Sequence, residues 1–231
     1  MKEVWTGIES SGKSLQLSRK AEQIRVRNKK WFSKVGIKRT MAFNSPMSES
    51  FKQLIIDSNI NYLEWKNFDD IGYLEEADIF IDELIKVFPA NGSSGLSNEQ
   101  LHFITQGAKS GINVYGASQD FSQVHKQFRL LVNEVHIVKK IIGSRRPMKT
   151  APKVNTIWGI CFIRDVLPSS FKGDSVSMET VGMPSFFFIQ RTDTERFDTS
   201  YKIPLSTLPR KKLRKQVEFC DEDGYTRTRY I

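Results

Sequence analysis

With 231 residues, 39% of them hydrophobic and 26% charged, the chain can bury a full core, which excludes a disordered or collagen-like polypeptide. Lys and Arg (35) exceed Asp and Glu (26) by nine charges, and no run approaches the roughly 18 uninterrupted apolar residues of a membrane span. Cys161 and Cys220 stand far apart in no CxxC or Cys/His spacing, so neither a disulfide framework nor a zinc site is expected. Two reduced thiols and the lack of a secretory leader pattern point to a cytoplasmic chain.

In chain order, residues 2–6 read as a short buried strand, followed by a Gly/Ser loop and a helix over 13–30. A second strand is expected over 37–43, closed by the turn signal Asn44-Ser45-Pro46. Phe51, Leu54 and Ile55 give residues 48–58 helical spacing, and 78–81 form a buried-strand candidate. A polar loop over 90–97 precedes a helix over 99–109, a strand over 111–117, a helix over 121–131 and a strand over 135–142. Strands alternating with helices indicate a parallel α/β sheet. After Pro147 the pattern changes to strand pairs over 154–167 and 185–191, a β-rich extension.

The positive charge is segregated. Between Arg19 and Arg39 nine basic residues face Glu22 alone, and between Lys139 and Lys153 six basic residues face no acid. A third run holds Arg210, Lys211, Lys212, Arg214 and Lys215, whereas residues 64–83 hold eight acids against Lys66. Such segregation suits a polyanion, because neutralisation of phosphates by Lys and Arg dominates nucleic-acid affinity.

Gly7-Ile8-Glu9-Ser10-Ser11-Gly12-Lys13-Ser14 matches G-x-x-x-x-G-K-[ST] between a strand and a helix. The glycines allow a tight loop whose N–H groups face phosphates at a helix N-terminus. Lys13 is expected to reach the β- and γ-phosphates, and the Ser14 hydroxyl to join a Mg²⁺ shell. Ala77-Asp78-Ile79-Phe80-Ile81-Asp82-Glu83 supplies the partner carboxylates: Asp82 for the metal and Glu83 as general base towards water. Asp78, at the start of that strand, is a poorer metal ligand. A third strand ends in Ser118-Gln119-Asp120. If it lies between the other two, Gln119 sits beside the γ-phosphate and either holds the attacking water or senses that phosphate. His102, His125 and His136 share no metal-ligand spacing, and Trp5, Trp31, Trp65 and Trp158 read as core or interface.

These motifs resemble the FtsK–HerA branch of P-loop motor ATPases, in particular viral genome-packaging ATPases and the zonular occludens toxin-like proteins of filamentous phages. The likeness rests on Gly7 to Ser14, on Ile79-Phe80-Ile81-Asp82-Glu83, on Ala117-Ser118-Gln119-Asp120-Phe121 followed by Phe128-Arg129, and on Phe197-Asp198-Thr199. It implies an additional-strand, RecA-like sheet, ATP and Mg²⁺ as cofactors, and a homo-oligomeric ring, usually hexameric, that moves DNA. Sequence-independent contacts to the DNA backbone and docking on a capsid or other virion protein are implied with it. Lys109-Ser110 stands where relatives carry Arg-His, which makes Arg129 the first candidate to act in trans, with Arg145 and Arg146 behind it. The absence of a span after the ATPase region favours a packaging motor, in the host cytoplasm or associated with the virion, over a membrane-anchored extrusion ATPase.

Residues 1–145 are thus expected to form the ATPase core, 146–208 a β-rich extension of the same domain, and 209–231 a charged tail. Two alternatives stay open. One is a zonular occludens toxin-like assembly ATPase; the other is a small-molecule P-loop kinase, against which stand the Asp82-Glu83 pair, Gln119 and the lack of an Arg-rich lid.

Overall fold

The computed structural model describes residues 1–9, 11–90, 96–143, 157–168, 180–190, 196, 216–220 and 226–230. Ser10, Arg145, Arg146, Phe197-Asp198-Thr199, most of the 90–97 loop and the basic residues at 149–153 and 210–215 lie outside them. The chain divides into two compact units, Met1–Thr199 and Ser200–Ile231.

In the first unit the strands are β1 (Lys2–Thr6), β2 (Thr40–Phe43), β3 (Asn61–Glu64), β4 (Ala77–Ile81), β5 (Asn113–Ser118), β6 (Glu134–Gly143), β7 (Ile157–Val166) and β8 (Thr180–Gln190). The helices are α1 (Lys13–Val35), α2 (Glu49–Asp57), α3 (Leu84–Val87), α4 (Asn98–Gln106) and α5 (Lys126–Leu130). One sheet runs in the order β3-β2-β4-β5-β1-β6-β7-β8. Its first six strands are parallel, and β7 and β8 are added antiparallel. This is the P-loop NTPase sheet of additional-strand type, with β5 inserted between β1 and β4, and a β-rich extension on the β6 edge.

Strand alternation divides the apolar residues between two faces. Val4, Ile79, Ile81, Val114 and Val135 pack with Leu84, Phe88, Phe103, Ile104 and Phe128, the side of α3, α4 and α5. Trp5, Met41, Phe43, Phe80 and Tyr115 face α1 and α2 through Leu17, Ala21, Ile24, Phe51 and Ile55. On this second face Tyr62, Phe43, Phe80 and Tyr115 stack in a row across β3, β2, β4 and β5, with centroids 5.6, 4.7 and 5.1 Å apart. Offset stacking adds to the area these rings bury.

The expected sheet and its extension are present, with differences in extent. The first helix runs on to Val35 and ends where Gly36 adopts φ 75°, its N–H donating to the Phe32 carbonyl. The following strand therefore begins only at Thr40. β3 was not foreseen, because Asn-Tyr-Leu-Glu is short, half-exposed and carries no apolar run. Ser97 and Gln100 form a capping box that starts α4. The helix expected over 121–131 shortens to a 3₁₀ turn (Phe121–Gln123) and the five-residue α5. In the second unit β9 (Gln216–Cys220) and β10 (Thr226–Tyr230) pair antiparallel, where the charge run suggested only a tail. Polar and apolar residues alternate within 216–220, a strand pattern that the charge count hides.

At the amino edge of the sheet Asp78 is fully buried and saturated with donors. Arg27 Nη2, Asn28 Nδ2 and Asn113 Nδ2 each donate at 2.8 Å, and Arg39 Nε donates at 3.0 Å. Arg39 also pairs with Glu76 and donates to the Gly111 carbonyl at 2.7 Å, while the chain's amino group donates to Asn113 Oδ1 at 3.0 Å. Asp78 is therefore a structural hub joining α1, β4, β5 and the strand entry at Arg39.

Candidate nucleotide site

The opposite, carboxyl edge of the three central strands carries the phosphate-binding motif. The loop leaves β1 after Thr6 and enters α1 at Lys13. Gly7 (φ 153°) and Gly12 (φ 102°) take conformations that residues with a Cβ rarely adopt. A Cβ on Gly7 would collide with the Val138 carbonyl of β6, and one on Gly12 would stand 2.7 Å from Cys161 Sγ of β7. The loop is thus wedged against the neighbouring strands by both glycines.

Lys13 Nζ folds over this loop and donates to the Gly7 carbonyl at 2.7 Å and the Ile8 carbonyl at 2.8 Å. Burial draws its pKa below the ordinary lysine value, opposed by the negative charges of Asp82, Glu83 and Glu9. Ile8 and Glu9 are exposed at the tip, and the buried Ser11 hydroxyl has no hydrogen-bond partner among the described residues. An orphaned hydroxyl in a glycine-lined cradle fits a site shaped for a ligand that supplies acceptor oxygens.

β4 brings the carboxylates to the same edge. Ser14 Oγ donates to Asp82 Oδ1 at 3.1 Å. Two ligands at adjacent corners of an octahedron with 2.0–2.1 Å bonds stand about 2.9 Å apart, so this pair fits a magnesium ion. Burial raises the Asp82 pKa, and the adjacent Glu83 charge adds to the rise; the Ser14 hydrogen bond and Lys13 oppose it. Asn44, at the end of β2, braces the Asp82 backbone in both directions. Its Nδ2 donates to the Asp82 carbonyl at 2.8 Å, and its Oδ1 accepts the Asp82 N–H at 2.7 Å.

Glu83 sits in the left-handed region (φ 66°, ψ 72°), a conformation that costs a non-glycine residue energy and recurs at functional sites. Its half-exposed carboxylate pairs with Lys86 one turn on. Gln119 follows β5 directly and is exposed. Because β5 runs between β4 and β1, Gln119 stands at the edge shared by Asp82 and the phosphate loop.

Arg129 lies elsewhere. It is half-buried on α5, five residues before β6 begins, and β6 runs parallel to β1, so its helix descends towards the amino edge. Trp5 and Trp65 are core, Trp31 is 44% exposed, and the Trp158 side chain is not among those described.

Sequence reasoning overlooked two residues here. Asn44 was read only as part of a turn, since its partner is 38 positions away. Cys161, buried on β7, donates from Sγ to the Ser11 carbonyl at 3.3 Å and so supports the loop from below. A thiol within the apolar stretch 157–163 was the available signal, but nothing local connected it to Ser11.

No protein-family model matches the sequence, and no curated protein matches it. Among solved structures the chain is similar to the N-terminal domain of zonular occludens toxin from Neisseria meningitidis, with 15% identity, 86% of this chain and 100% of that one covered, and a TM-score of 0.48. It is also similar to the genome packaging NTPase B204 from Sulfolobus turreted icosahedral virus 2 in complex with AMP (10% identity, 78% and 95% covered, TM-score 0.46). A third similar structure is the flagellar accessory protein FlaH from Methanocaldococcus jannaschii (10% identity, 79% and 89% covered, TM-score 0.44).

Proposed function

We propose that this chain hydrolyses ATP to translocate DNA, as a viral genome-packaging motor. The observation that carries the reading is the convergence of Lys13 and Ser14, Asp82 and Glu83, and Gln119 at one edge of three adjacent strands. A kinase needs a phosphate cradle and a metal ligand, but a glutamate and a glutamine aimed at the same edge suit activation of water.

In this reading the backbone N–H groups of residues 7–14 cradle the phosphates, and Lys13 exchanges its two loop carbonyls for phosphate oxygens. Ser14 and Asp82 are the residues to hold a magnesium ion, which when bound neutralises charge on the phosphate oxygens. Glu83 accepts the proton of the attacking water, and Gln119 orients that water and registers the γ-phosphate. Arg129 is the candidate to stabilise a neighbour's γ-phosphate across a ring interface, a contact set by oligomer geometry rather than by the isolated chain.

DNA contact is assigned to the basic far half of α1. Lys29, Lys30 and Lys34 are exposed there, as is Lys38 in the loop that follows, with no acidic residue between them. Contacts of this kind bind the backbone without sequence preference and weaken with salt.

The test is phosphate release by the purified chain with and without single- and double-stranded DNA, at low and moderate salt. Salt-sensitive stimulation by DNA is expected. Release indifferent to DNA overturns translocation, and phosphate delivered to an acceptor in place of water indicates a kinase.

A further inference from the structure

Outside the nucleotide site, a second polar cluster lies on the α1 face of the sheet. Glu3 of β1 stands opposite Glu134 of β6, and two residues on, Trp5 stands opposite His136, which in turn stands opposite Asp165 of β7. Lys20 of α1 pairs with Glu3, and the His136 ring stacks on Trp5 at 5.3 Å between centroids. Glu3 is 4% exposed and His136 14%, whereas Glu134 and Asp165 are about half exposed and open the cluster to solvent.

The hydrogen-bond pattern is specific. His136 Nδ1 lies 2.6 Å from Asp165 Oδ1, and a carboxylate only accepts, so Nδ1 carries a hydrogen and donates. Nε2 then faces Glu3 Oε1 at 3.1 Å and Glu134 Oε2 at 3.7 Å. Acceptor atoms held this close are bridged either by a proton on Nε2 or by a metal ion. A proton on Nε2 serves one carboxylate at a time, whereas a metal ion serves both.

We propose that Glu3, Glu134 and His136 form a binding site for a divalent transition metal ion, zinc by preference, with Asp165 orienting the histidine. Three features support this. The ligand atoms of the three residues all lie within 4.8 Å of one another. Tetrahedral zinc with bonds of 2.0–2.1 Å separates its ligands by about 3.3 Å, which falls between the two separations at Nε2. The carboxylate on the far ring nitrogen is the partner that metal-bound histidines regularly have, because it fixes the tautomer and raises ligand basicity. Charge agrees: the carboxylates of Glu3, Glu134 and Asp165 outnumber the cations Lys20 and His136, so the cluster keeps a negative charge even with the imidazole protonated. The exposed side of Glu134 would let a water complete the coordination. The absence of a local ligand motif around His136 is explained, because its partners come from separate strands.

The site is distinct from the magnesium position at Ser14 and Asp82. It ties β1, which leads into the phosphate loop, to β6, and through Asp165 to β7.

The test uses the full chain, stripped with a chelator and kept in Mg²⁺ without nucleotide. Zinc is titrated by calorimetry, and cobalt by the visible absorption that a tetrahedral site gives. One ion per chain is expected, retained in Ser14→Ala, lost in His136→Ala, and weakened about 10–100-fold in Asp165→Asn. Absence of saturable binding overturns the proposal, as does binding that neither His136→Ala nor Asp165→Asn affects. Circular dichroism checks the fold of each variant. If His136→Ala does not fold, Glu134→Gln and Asp165→Asn decide, since both alter exposed side chains.

Discussion

The two ends of β4 make the most instructive contrast in the molecule. Asp78, at the amino end, is completely buried and accepts from two arginines and two asparagines. Asp82, just past the carboxyl end, accepts a side-chain hydrogen bond from Ser14, and burial raises its pKa. One carboxylate has its acceptor capacity filled by the protein, and the other is held out of water with capacity to spare. The first pattern locks a fold; the second leaves room for a cation. A residue type alone cannot separate these roles, but the count of donors around it can.

The contrast can be broken at either end. The largest expected effect is catalytic: Glu83→Gln lowers ATP turnover by about a hundred- to ten-thousand-fold with nucleotide binding retained, measured by phosphate release and nucleotide titration. Normal turnover removes Glu83 from the base role. At the amino edge Asp78→Ala leaves two arginines facing a buried gap, and a loss of about 3–5 kcal/mol is expected in urea unfolding. Asn44→Ala strands the backbone N–H and carbonyl of Asp82, costing about 1–3 kcal/mol and lowering turnover as the proposed metal ligand drifts. Asp82→Asn sharpens the comparison most directly. It abolishes magnesium-dependent nucleotide binding yet stabilises the free chain by about 1 kcal/mol, the usual scale of relieving an active-site group. A destabilised Asp82→Asn makes Asp82 a second structural hub. The smallest effect belongs to Cys161→Ala, about 1 kcal/mol in thermal unfolding.

What could be read in advance follows the same division. The phosphate loop and the Asp82-Glu83 strand were legible because their chemistry is contiguous in sequence and framed by strand and helix patterns. The position of Gln119 was legible only as a condition on strand order, which pairing of β5 with both β1 and β4 meets. Asn44, Cys161 and the His136 cluster were not legible, because each acts on a partner from another element. β3 was missed for a different reason. An edge strand with both end residues exposed needs no apolar run and gives no periodic signal. The place of Asp78 at the start of the strand marked it as the poorer metal ligand, but the four side chains that donate to it come from other elements and leave no local signal.

The attachment of α1 has a mechanical consequence. The helix begins at the phosphate loop, and Arg27 and Asn28 bolt it to Asp78 some fifteen residues further on, about 22 Å along its axis. It is a lever with its pivot off-centre. Were the loop to be displaced, this bolt would resist sliding of the rod and favour its tilting. The shorter arm beyond the pivot, which bears Lys29, Lys30 and Lys34, would then swing the opposite way.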